Sequence, residues 1–184
     1  MRHVLFVCRN NLCRSVMAEA ILLKKVDEFA LRMRVASAST VARHDGKRYD
    51  ERALGELMRH DIDLFDIYHR LAHKHQLGFE VDEGRTEDEH ESAGLAAMHS
   101  RFLCEDYLEA ADFIFAADRK DIRLIRTTFG EEYARKVRLI TTFSRRHRDE
   151  ELPDPYYGGD EGFYYLFKMI NESIDMWLHD ECIL

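Results

Sequence analysis

Three features are scarce in this chain, and each scarcity removes a class of protein. Among 184 residues there are four cysteines, at positions 8, 13, 104 and 182, too few and too scattered for a secreted disulfide framework or a four-thiolate zinc site. Reduced thiols, and with them a cytoplasmic location, are the expectation. Long apolar runs are missing: no uninterrupted segment approaches the roughly 18 residues of a membrane span, and the opening MRHVLFVC lacks the extended apolar region and cleavage site of a signal peptide. No membrane association is therefore expected. Basic charge is in deficit, with 27 lysines and arginines against 35 acids, a formal charge of −8 and a pI near 5.7. Nucleic acid demands a net basic face, so it is excluded as a general partner, although a local basic pocket is not. Proline occurs only twice, and both copies fall in one short loop. No internal repeat is visible.

What the chain does contain is an alternation of short apolar runs and helical stripes. HVLFVC and DFIFAAD (Asp112 to Asp118) are continuous apolar runs of the kind found in parallel strands covered on both faces, and MRVASAS and KVRLIT are weaker candidates. Between them, Ala18, Ile21, Leu22, Val26 and Phe29 share one face of a helix starting near Arg14. Phe163, Leu166, Phe167, Ile170, Ile174 and Trp177 form a second stripe near the C-terminus. Strands separated by helices imply right-handed crossovers, so the expected fold is an α/β/α sandwich around a four-stranded parallel sheet, in one domain spanning 1–184. Ligands of such folds bind at the carboxyl ends of the strands. Residues 64–98 lengthen the second crossover far beyond need and read as an insertion, in which EVDEGRTEDEHE sets seven acids against one arginine. A lid or partner-docking role for that segment competes with a neutral surface elaboration.

The stretch VLFVCRNNLCRSVMAEAIL carries the chemistry. Cys8 closes the first strand, and Arg9, Asn10, Asn11, Leu12 and Cys13 lead to Arg14 and Ser15 at the helix start. Such a turn aims backbone N–H groups inward and adds the positive helix end, making a cradle for a phosphate dianion. Arg14 can grip two phosphate oxygens with its planar fork. The same field favours a thiolate, and the Ser15 hydroxyl can donate to it, which makes Cys8 a nucleophile pointed at phosphorus. The competing reading is an inert core thiol. A phosphocysteine route also needs an acid for the leaving oxygen. LPDPYYGGDEGF offers Asp154, held between the two prolines, with Tyr156 and Tyr157 to wall a cleft for a flat ring.

Taken together these residues resemble the low-molecular-weight protein tyrosine phosphatase family. The family's opening pattern, a strand ending in Cys followed by x-Gly-Asn-x-Cys-Arg-Ser-Pro and Ala-Glu, stands here as VCRNNLCRSVMAEA, and its Asp-Pro-Tyr-Tyr-Gly motif stands at Asp154 to Gly158. SAST, DERALGELMRHDID and DFIFAAD extend the likeness over most of the chain outside the insertion. The resemblance implies Cys8 as nucleophile, Arg14 as phosphate clamp, and Asp154 as general acid and then base. Asn11 and Ser15, joined by Ser37, would hold the loop and the thiolate. Substrates would be phosphotyrosine proteins or small aryl phosphates, and no metal or other cofactor would be needed. In the family a pair such as Cys8 and Cys13 can close a reversible disulfide, with a packed loop thiol as the competing reading. Asn10 stands for the family glycine and is expected to accept a left-handed backbone. Val16 stands for the family proline. Arg9, Arg43, His44, Lys47 and Arg48 are expected near the mouth, a basic rim that would favour acidic flanks.

Two rivals are weaker. Thioredoxin-coupled arsenate reductases share the Cys-to-Arg loop but need two further nearby thiols, a spacing that Cys104 and Cys182 do not offer. A phosphoprotein-binding module without turnover is opposed by the intact Cys8, Arg14 and Asp154. His69, His73 and His75 lack the acidic or thiol partners that a metal site would add, and a surface position is expected for His99.

Overall fold

A computed structural model describes residues 1–72 and 98–181. His73, His75, Cys182 and the whole acidic stretch EVDEGRTEDEHE lie outside the described residues. Four strands, β1 (Arg2–Cys8), β2 (Met33–Ser39), β3 (Phe113–Ala116) and β4 (Val137–Leu139), form one parallel sheet in the order β2-β1-β3-β4. All four expected strands are present. The central β1 puts Cys8 opposite Ser39 and Val7 opposite Ala116, so the loops after β1, β2 and β3 emerge side by side.

The helices are α1 (Arg14–Glu28), α2 (Glu51–Arg59), α3 (Leu64–Ala72), α4 (Glu105–Ala110), α5 (Arg119–Phe129), α6 (Glu131–Ala134) and α7 (Asp160–Asp180). Alternate residues of β1 face opposite layers, as a strand requires. Val4, Phe6 and Cys8 pack with α1, α2, α3 and α7, whereas Leu5 and Val7 pack with Leu108, Ile125 and Tyr133 on α4, α5 and α6. Helix α1 runs through the larger layer, and every residue from Arg14 to Leu23 is buried. Burying a leucine or isoleucine such as Ile21 or Leu22 is worth about 1.5–3 kcal/mol, which is why that helix is held so firmly. The α7 stripe buries Trp177 against Phe113 and Phe115, with ring centroids 5.1 and 5.2 Å away.

The start of the segment read as an insertion belongs to the core. Leu64, Ile67, Tyr68 and Leu71 of α3 are buried in the same cluster as α1. The apolar i, i+3, i+4, i+7 spacing of those residues faces inward, so the first turns of that segment pack with α1. After the acidic segment the chain re-enters as an extended stretch. The N–H of Ser100 donates to Lys47 O, and its carbonyl accepts from Gly46 N.

Candidate active site

Cys8 ends β1, and the loop behind it is fixed from three sides. Ser39 Oγ donates to Arg9 O at 2.8 Å, Ser100 Oγ donates to Asn10 O at 2.8 Å, and Asp50 N donates to Leu12 O at 3.1 Å. The single left-handed residue of the loop is Asn11, with φ of 50°. That corrects the expectation for Asn10: the left-handed turn falls one residue later, where the side chain has three partners to hold it. Helix α1 starts on Cys13 with no side-chain cap and no acid in its first turn. Its first intrahelical bond is Met17 N to Cys13 O, so the preceding amides lack helical acceptors and present positive charge to the loop.

The hydrogen-bond directions around the sulfur follow from one fixed donor. The backbone N–H of Arg101 donates to Asn11 Oδ1 at 3.0 Å, which identifies that atom as the oxygen. Asn11 Nδ2 then donates to Ser15 Oγ at 3.0 Å and to Ser37 Oγ at 2.7 Å. Ser37 Oγ in turn donates to Glu19 Oε2 at 2.5 Å. Ser15 is left with its hydroxyl hydrogen aimed at Cys8 Sγ, 3.1 Å away, and the Asn11 backbone N–H reaches the same sulfur at 3.3 Å. Two donors thus converge on the sulfur.

Arg14 is nearly buried. Its Nη1 donates to Asp118 Oδ2 at 2.9 Å and reaches Leu152 O at 3.5 Å, and its Nη2 lies 3.6 Å from Asp154 Oδ2. Burial opposes the charge, but the Cys8 sulfur and the Asp118 carboxylate hold the guanidinium protonated well above its ordinary range. Asp154 caps its own turn, accepting from Tyr156 N at 3.1 Å, and its half-exposed carboxyl borders the Cys8 cleft. That cleft is lined by Cys8, Asn10, Leu12, Cys13, Arg14, Asp154 and Tyr156. Tyr157 stands outside it and is 91% exposed. Arg43 and His44 are not in the lining either. They form a 3₁₀ turn beside the loop, where Val41 N donates to Arg9 O.

Several functional positions escaped the sequence reading. Asp118 anchors Arg14, and its place at the end of DFIFAAD, on the carboxyl edge of the sheet, was the available signal. Glu19, Tyr49, Tyr68 and Arg101 form a buried polar cluster behind the loop. Arg101 Nη2 lies 3.5 Å from Glu19 Oε1 and donates to Tyr49 OH at 3.1 Å. The residue that returns to the site after the acidic segment is Arg101; His99 instead forms a bridge with Arg48. Cys13 is buried, and burial followed by the Asp50 carboxylate keeps its thiol protonated far above the ordinary range. Among the described residues no group of histidine, cysteine, aspartate and glutamate could hold a metal ion, and no helix is long and apolar enough to cross a membrane.

Comparisons with known proteins bear on family and fold. Residues 3–82 and 80–182 match the family model described as low molecular weight phosphotyrosine protein phosphatase. Low molecular weight protein-tyrosine phosphatase A of Mycobacterium tuberculosis is 34% identical over 182 residues, covering 97% of this chain and 90% of its own. Among solved structures, YfkJ from Bacillus subtilis is 26% identical with a TM-score of 0.72, covering 98% and 96% of the two chains. A protein tyrosine phosphatase from Entamoeba histolytica, 24% identical with a TM-score of 0.72 and full coverage of both chains, shows the same fold.

Proposed function

The chain belongs to the low molecular weight phosphotyrosine protein phosphatase family, and on that footing we propose that it hydrolyses phosphotyrosine esters through a covalent phosphocysteine on Cys8. The observation that carries the proposal is the meeting of three groups in one cleft: the Cys8 sulfur with its two donors, the charged Arg14 fork and the Asp154 carboxyl.

In the first step the ester's phosphoryl group sits over the loop, its oxygens facing the amides before Met17 and the Arg14 fork. The Cys8 sulfur forms a bond to phosphorus as the bond to the tyrosyl oxygen breaks, and that oxygen takes a proton from Asp154. In the second step Asp154, now a carboxylate, accepts a proton from a water that attacks phosphorus. The sulfur–phosphorus bond breaks and inorganic phosphate leaves. Arg14 stabilises the charge on the equatorial oxygens in both steps, and Asp118 keeps its fork in plane. The phenolic ring lies against Tyr156, and a cytoplasmic setting would keep the thiol reduced. Hydrolysis of p-nitrophenyl phosphate should be abolished by Cys8→Ser, and the phosphoenzyme should be trapped on wild-type protein by rapid acid quench. Persistent turnover by Cys8→Ser, or a quench without phosphoenzyme, refutes the scheme.

Substrate preference is proposed to follow the rim. Arg9, Arg43, Lys47 and Arg48 are exposed beside the loop, and desolvation, followed by the charges of Lys47 and Arg43, pushes the His44 ring below the ordinary histidine range. Phosphotyrosine peptides with acidic flanks should be turned over faster than neutral ones, with the advantage lost at high salt. Equal rates at low salt reject the preference.

A further inference from the structure

Asp121 is a carboxyl that the reaction scheme leaves unused. It sits in the first turn of α5, its residue is 0% exposed, and its Oδ2 has no hydrogen-bond partner among the described residues. Its Oδ1 accepts from the Thr40 hydroxyl at 2.7 Å. Thr40 is joined in turn to the catalytic loop, since its N–H donates to Cys8 O at 3.0 Å. On the other side, the Asp121 N–H donates to Asp118 Oδ1 at 3.0 Å, while Asp118 Oδ2 holds Arg14. Asp121 therefore links the end of β2 to the anchor of the phosphate clamp.

The surrounding charges decide which of the two acids carries a proton. Facing Asp121 are Asp118 from the start of its own helix and Arg14 from α1, whose guanidinium also feels Cys8 and Asp154. From the residue just after β2 comes the neutral Thr40 hydroxyl. Arg119 and Lys120 on the same turn are exposed, and Arg119 is paired with Glu151. Asp118 receives the Arg14 fork and the N–H groups of Lys120 and Asp121, and these hold it below the ordinary carboxylate range although burial opposes them. Asp121 has one hydroxyl and a dry, empty-handed oxygen. A charge placed there finds no donor and stands beside another anion, a costly arrangement in a low-dielectric interior.

We propose that Asp121 carries a proton in the working enzyme and acts as a positioning residue for Arg14, so that its ionisation weakens the grip on a phosphate-like dianion at the top of the neutral range. This rests on the reading of Arg14 as the phosphate clamp. Burial, followed by the Asp118 charge, pushes Asp121 up to about 7 against the pull of Thr40 and Arg14. Above that pH a second negative charge lies in the field of the guanidinium and competes with the bound oxyanion for it. By linkage, a dianion on the loop must equally raise the proton affinity of Asp121.

The test uses sulfate, whose charge does not change between pH 6 and 8, titrated calorimetrically at constant ionic strength into wild-type protein, Asp121→Asn and Thr40→Val. Wild-type affinity should fall from pH 6 to pH 8 by about 5-fold more than that of Asp121→Asn. Removing the Thr40 donor should shift the break to higher pH, because that hydroxyl favours the ionised form. A wild-type break that survives in Asp121→Asn, or one that Thr40→Val leaves in place, overturns the inference while leaving the phosphatase reading intact. Absence of sulfate binding at every pH, together with absent p-nitrophenyl phosphate hydrolysis, overturns both.

Discussion

Replacing Arg101 by methionine should destabilise the protein in a way that depends on pH. Glu19 is 0% exposed, and its Oε1 faces Arg101 Nη2 at 3.5 Å. At an effective dielectric of about 20, that separation corresponds to an attraction of about 5 kcal/mol. The loss cannot reach that figure, because the abandoned carboxylate can take up a proton. For a carboxyl of ordinary acidity, about 4.3, protonation at pH 7 costs about 3.7 kcal/mol, and at pH 5 about 1 kcal/mol. Burial already pushes Glu19 upward in the intact protein, with Arg101 and Ser37 pulling it back, so part of this cost is present before the mutation. The expected deficit of Arg101→Met is therefore about 2–3 kcal/mol at pH 7, shrinking to about 1 kcal/mol or less at pH 5. The sign follows from proton counting. Between those pH values the variant's native state holds a proton that the unfolded chain has released, so its stability falls as pH rises. Urea unfolding of wild type, Arg101→Met and Glu19→Gln/Arg101→Met at both pH values measures this. The double variant should recover most of the loss, since it leaves no buried charge unpaired. A deficit that is the same at both pH values, or a double variant no more stable than the single one, refutes the reasoning.

Further outcomes follow from neighbouring groups. Asp121→Asn should stabilise the fold by about 2–4 kcal/mol above pH 7, because a carboxyl moved from its ordinary range to about 7 carries a penalty that is absent below pH 4 and complete above 7; thermal unfolding across that range should show the gap opening, and a constant gap contradicts it. Arg14→Lys keeps the charge but cannot serve Asp118 and a phosphate oxygen with one planar fork, so kcat/KM on p-nitrophenyl phosphate should fall at least about 100-fold; a loss below tenfold would exclude bidentate clamping. Peroxide should convert Cys8 to a sulfenic acid that the Cys13 sulfur attacks, releasing water and leaving a disulfide. Burial first and then the Asp50 carboxylate hold the Cys13 thiol protonated, so removing that negative charge in Asp50→Asn, which retains the cap on α2, should close the bond several-fold faster by mass spectrometry. Persistent sulfinic Cys8 with no Cys8–Cys13 bond rules out the disulfide.

Local features carried much of this protein in plain view. Apolar runs of strand length alternating with helical stripes led to the parallel sheet, because a strand buried on both faces must be continuously apolar and a helix must be striped. Cys8, Arg14 and Asp154 were readable as candidates because the proposed nucleophile, clamp and acid each need a particular residue at a strand end, a helix start or a stiff loop, and the fold brings the three to one cleft. The partners of those groups were not readable. Arg101 is separated from Glu19 by 82 positions along the chain, and nothing in its neighbours distinguishes it from a surface arginine. Glu19 interrupts an apolar helix face, a visible anomaly whose meaning waited on the segment that returns after the acidic stretch. The left-handed turn at Asn11 in place of Asn10, the Asp118 anchor and the buried, unpartnered oxygen of Asp121 were settled by packing. Which buried acid keeps its charge depends on how many donors surround it in space, and donors brought together by crossovers leave no trace in the local order of residues.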